Sequence, residues 1–167
     1  MRSNFRFCGF VLAISLCGCV QQEKRPMLPP PPYDQKVALT IQQTTTGLPG
    51  YAATYGDNGK MYAYLYSGGN KNRGNVEFQH GKGAVNVHIT LTDSPNFVME
   101  KVDITGDQTG DHRQFDPPPE VVPNGLTAHI HDRNTEPVTA YYAVKVVDQN
   151  DPAHPVRIYC DPGIVNN

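Results

Sequence analysis

The sequence predicts an all-β protein: a single antiparallel β-sandwich, immunoglobulin-like or similar, of about seven strands. Three observations carry that reading. From Gln35 onward, β-branched and aromatic residues alternate with polar ones at a period of two. Clusters of Gly, Pro, Asn and Asp interrupt the alternation at short intervals. No window of about twelve residues keeps an apolar i, i+3, i+4, i+7 stripe free of Pro and Gly, so helix is nearly absent.

The first strand places Val37, Leu39 and Ile41 on one face. In the next, 60–66, Tyr62, Tyr64 and Tyr66 alternate with Ala63 and Leu65, which sets three phenol rings in a row. Such a row suits a sugar or protein partner, and equally suits packing with the hydroxyls reaching the rim. Stretch 85–91 puts Val85, Val87, Ile89 and Leu91 inward, against Asn86, His88 and Thr90. Further strands fall at 98–105, 126–131, 138–148 and 156–160. Between them lie two long loops, the glycine-rich 67–83 and the proline-containing 106–125.

The sharpest chemical candidate is His129-Ile130-His131. Residues i and i+2 of a strand share a face, so two imidazoles there have the spacing to chelate zinc or copper while Ile130 enters the core. His88, on the polar face of its own strand, supplies a third ligand if the two strands pair. Ordinary solvated histidines are the plainer account. Asp103, Asp107, Asp111 and Asp116 do not fall into the register of a twelve-residue calcium loop. Ser67 and Ser94 sit in no nucleophile-elbow context, so no catalytic signature emerges and the expectation is a non-enzyme without an obligatory cofactor.

The N-terminus carries the address. Arg2 and Arg6 precede an apolar run of about ten residues that ends in Leu16-Cys17-Gly18-Cys19. This resembles the lipobox of bacterial lipoproteins, and it implies cleavage before Cys19 and acylation of its thiol. The apolar run is about half the length a membrane-spanning helix needs. Two or more acyl chains anchor a protein stably, and Val20, rather than Asp, after the modified Cys implies the outer membrane, facing the periplasm or the surface, over the inner one. The expected organisation is a signal peptide at 1–18, a lipidated Cys and proline-rich stalk at 19–34, and the sandwich at 35–167. Pro29 to Pro32 favour an extended polyproline segment.

After cleavage the chain keeps a formal charge of about −4 and no large Lys/Arg cluster, which argues against nucleic acid as a partner. Cys8 and Cys17 leave with the signal and Cys19 takes lipid. Cys160 is then the one free thiol, either a buried strand residue or a link between two copies.

The order Val85-Asn86-Val87-His88-Ile89-Thr90-Leu91, Val102-Asp103-Ile104, Asp132-Arg133-Asn134 and closing Asp161-Pro162-Gly163-Ile164-Val165-Asn166 resembles the DP-EP family of small bacterial β-proteins. The resemblance implies an antiparallel sandwich ending in an Asp-Pro turn, and it transfers no catalytic residue. Taken together, these readings lead to a membrane-anchored, non-enzymatic binding module of the cell envelope with a protein or surface-polymer partner. A periplasmic metal-binding protein using His129 and His131 is the alternative.

Overall fold

Alternating faces become two stacked sheets in the computed structural model, which describes residues 33–105 and 112–166. The signal, Cys19, the proline run, Asp107 and Asp111 lie outside the described residues. The first sheet joins β1 (Tyr33–Gln43), β2 (Ala52–Tyr55), β3 (Met61–Gly68), β5 (Val85–Leu91), β7 (Glu120–Val121) and β8 (Thr127–Asp132) in the order β2-β3-β1-β5-β8-β7. The second holds β4 (Val76–Phe78), β6 (Phe97–Thr105), β9 (Val138–Asp148), β10 (Val156–Cys160) and β11 (Gly163–Asn166), with β9 at its centre.

The expected seven strands correspond to β1, β3, β5, β6, β8, β9 and β10, while eleven are described. The four extra strands, β2, β4, β7 and β11, span two to four residues each and are too short to display a period of two. The sheets are also mixed rather than purely antiparallel, because β1 runs parallel to β5 and β4 parallel to β11. β1 begins at Tyr33, two residues before the expected edge of the sandwich, with Tyr33 opposite Val85.

Inward positions of both sheets meet in one core. Val37, Leu39, Ile41, Val85, Val87, Ile89 and Ile130 from one sheet face Met99, Tyr142, Val144, Val146 and Ile158 from the other, all buried. At roughly 1.5–3 kcal/mol for each fully buried large apolar side chain, this interdigitated layer is the main driving force for the fold.

Two local irregularities have sequence causes. Strands β10 and β11 are one line of chain along β9: Cys160 lies opposite Val144 and Gly163 opposite Tyr141 in unbroken register. Pro162 has no N–H to give the ladder, so Asp161-Pro162 interrupts this strand and does not turn the chain, unlike the Asp-Pro turn that the family resemblance implies. In β6 the pairing slips from Met99 opposite Val146 to Lys101 opposite Lys145, which leaves Glu100 as a bulge. The bulge aims the Glu100 carboxylate at Lys145 Nζ (2.9 Å) and Arg157 Nε (3.3 Å). Their hydrogen bonds, that of Lys145 foremost, hold the carboxyl below the usual carboxylate range.

Most buried polar groups among the described residues are anchored, the exception being Asn134 Oδ1, which is buried without a hydrogen-bond partner. Asp148, 5% exposed, accepts from Tyr62 Oη at 3.0 Å and from the Asn150 N–H and side-chain amide at 2.9 and 2.7 Å. Asn134 adopts a positive φ, donates its backbone N–H to the Asp132 carboxylate, and donates its side-chain amide to the carbonyls of Gln79 and Gly83.

Candidate functional site

Candidate side chains from the sequence come to rest in three distinct settings. On strand β3, residues Tyr62 and Tyr66 point into the core and are 0% and 4% exposed, while Tyr64 is half-buried. The three rings therefore do not form an open aromatic row. Their inward face is set by register, since Tyr62, Tyr64 and Tyr66 pair with Gln43, Ile41 and Leu39 of β1, and that face covers the second sheet. Tyr62 stacks edge-on against Phe97, and Tyr66 against both Tyr64 and Tyr142. Each hydroxyl finds a partner, Tyr62 at Asp148, Tyr66 at the Cys160 carbonyl (3.0 Å) and Tyr142 at the Gly74 carbonyl (2.7 Å). Burial pushes the Tyr62 phenol up to about 12, helped by the Asp148 carboxylate, and burial likewise raises those of Tyr66 and Tyr142 well above the ordinary range.

Tyr64 does reach solvent, at a groove of about 360 Å³ beside the junction of β10 and β11. Its walls are Tyr51, Tyr64, Arg73, Asn75, Asp161 and Pro162. The Tyr64 hydroxyl accepts from the Asp161 N–H at 3.4 Å. Arg73 sits at a positive φ in the glycine-rich stretch, which folds back over the tyrosines through Gly74. Sequence reasoning did not place Arg73 and Asp161 beside Tyr64, because only the crossing from β3 to β4 and the junction of β10 and β11 bring them together.

The histidines lie on the opposite, solvent-facing side of the first sheet. Strands β5 and β8 do pair, and His88 stands directly opposite His129, as Asn86 does opposite His131. Ile130 is buried between the two histidines of β8, as the alternation requires. The rings of His88 and His129 are 4.8 Å apart, edge to face. Asp34 from β1 joins them: its Oδ1 lies 3.5 Å from His88 Nε2 and accepts from Asn86 Nδ2 at 3.0 Å. Asn86 Oδ1 in turn accepts from His131 Nδ1 at 2.8 Å. The Asn86 hydrogen bond, and then that of His88, hold the Asp34 carboxyl below its ordinary range. Glu120 of β7 is opposite His129, and Pro117 and Pro118 complete a groove of about 330 Å³. Among the described residues, no three His, Cys, Asp or Glu side chains already converge as a metal site.

Two candidate nucleophiles are structural. Ser94 Oγ shares its one proton between the carbonyls of Thr92 (2.8 Å) and Ile41 (3.1 Å) and accepts the Ile41 N–H at 2.9 Å, stitching β1 to the loop before β6. Cys160 is fully buried, and burial raises its thiol well above the ordinary range, which suppresses the thiolate.

Among the described residues, no helix is long and apolar enough to cross a membrane. No known protein-family model matches the chain, and no curated protein matches it.

Proposed function

We propose that the chain is a lipid-anchored lipoprotein of the bacterial cell envelope, held at the outer membrane by acylated Cys19, whose sandwich binds a protein or surface polymer and performs no catalysis. The lipobox-like Leu16-Cys17-Gly18-Cys19 supports the anchor. The groove beside Tyr64 is the observation that carries the binding role. It sets aromatic rings, a guanidinium, an amide and a carboxylate around an open space of about 360 Å³. That mixture offers stacking surface together with both signs of charge, which suits an extended polar chain crossing the side of the sandwich. Arg73 is exposed and lines the groove from a loop that lies close against Tyr66 at Gly74.

Two measurements test the proposal. Palmitate labelling of the full chain expressed in bacteria is expected to be lost in Cys19→Ser. Co-sedimentation of the full chain with isolated envelope fractions, before and after protease or glycosidase treatment, separates a protein partner from a polymer. Binding that survives Tyr64→Ala and Arg73→Ala unchanged removes the groove from the account, and an unlabelled wild-type chain removes the anchor.

A further inference from the structure

We propose that the solvent face of the first sheet carries a binding site for a divalent zinc-type ion, formed by Asp34, His88 and His129 from three adjacent strands. This differs from the chelate formed by His129 and His131 that strand alternation alone suggests, and it does not depend on the groove beside Tyr64.

The spacing is that of ligands around one ion. Nitrogen and oxygen donors about 2.0–2.2 Å from a tetrahedral zinc lie about 3.4 Å from each other. His88 Nε2 and Asp34 Oδ1 are 3.5 Å apart, long for a hydrogen bond and close to the edge of a coordination tetrahedron. The His88 and His129 rings stand 4.8 Å apart, a separation that two imidazoles sharing an ion also adopt. As they stand, the three side chains do not close on one point, because His129 is turned edge to face with His88. His129 is exposed on its strand, so swinging its ring displaces no core contact.

The surroundings complete the site. Asn86 Nδ2 holds the Asp34 carboxylate, and His131 holds the other end of the Asn86 amide, so this pair orients a ligand in the way supporting shells orient metal ligands. His131, already engaged with Asn86, is thereby assigned a positioning role. Glu120 on the far side of His129 adds negative potential, and Pro117 and Pro118 wall the groove. Two imidazoles and a carboxylate leave a fourth position open to water, a donor set that suits zinc and binds copper(II) more tightly.

The test is a Zn²⁺ titration of the full chain in detergent against a chromogenic chelator, with Co²⁺ absorption as a reading of coordination geometry. The wild type is expected to take up one equivalent that is weakened at least about tenfold in His88→Ala, His129→Ala and Asp34→Asn alike, with the cobalt spectrum lost in each. His131→Ala is expected to weaken it only a fewfold. Thermal melts of the metal-free variants confirm folding, since all three side chains are on the solvent face. The proposal is overturned if the wild type takes up no equivalent. It is also overturned if His88→Ala binds as the wild type does, or if His131→Ala is as damaging as His129→Ala while Asp34→Asn is silent.

Discussion

Replacing Tyr62 by Phe removes one oxygen from the centre of the molecule and tests how the buried carboxylate of Asp148 is held. Asp148 is 5% exposed and among the described residues has three hydrogen-bond contacts from donors, of which Tyr62 Oη at 3.0 Å is the one from the opposite sheet. A hydrogen bond to a charged group contributes roughly 1.5–3 kcal/mol, against about 1 kcal/mol for a neutral pair. Tyr62→Phe is therefore expected to cost about 2 kcal/mol at neutral pH, a fall in Tm of roughly 6–10 °C for a domain of this size. Tyr66→Phe removes a hydroxyl that donates to the neutral Cys160 carbonyl, and serves as the internal control at about 1 kcal/mol. The pH dependence supplies a second reading. The Tyr62 phenol ionises at about 12 in the fold against 10.0 in the unfolded chain, so the unfolded state sheds this proton first. The stability tied to that proton is complete below pH 10 and drains between 10 and 12 by up to ~3 kcal/mol. Urea unfolding of wild type and variant at pH 7 and pH 11 should show the gap between them narrowing as pH rises. A deficit at pH 7 under about 0.5 kcal/mol, or a gap that stays constant to pH 11, would refute the account of Asp148 as a charge held by Tyr62.

Other perturbations separate positions that look alike in sequence. Gly74→Ala and Gly59→Ala both force a side chain onto positive φ, 77° and 74°, but a Cβ at Gly74 meets Tyr66 Cβ at 2.8 Å while Gly59 faces open space. The Gly59 variant should lose about 1 kcal/mol and the Gly74 variant at least twice that, measured by chemical denaturation. Cys160 is expected to stay unreactive to a disulfide reagent at pH 8 until denaturant is added, so gels without reductant should show no dimer through this thiol; rapid native labelling would contradict its burial. Glu100→Gln leaves the bulge in place but weakens its ties to Lys145 and Arg157, which are partly exposed, so stability should change by under about 1 kcal/mol; a larger loss would mean the bulge itself depends on the charge.

The alternation of side chains is local, and it determined a good deal. It was enough to set Val37, Leu39, Ile41, Val85, Val87 and Ile89 inward, to turn His88, His129 and His131 outward around a buried Ile130, and to predict that helix is nearly absent, which among the described residues leaves a short 3₁₀ turn at His112–Phe115. It also placed Cys160 at the end of a strand, where it is buried. Pairing is not local. That His88 meets His129, that Asp34 arrives beside them on a strand parallel to β5, and that Arg73 and Asp161 flank Tyr64 depend on which strands neighbour which and in what register. Any two alternating strands can pair in several ways, and the choice falls to the total packing of the two inner faces. The tyrosines show the same division: period two put their rings on one side of β3, but only the opposing sheet decided that this side was the inside.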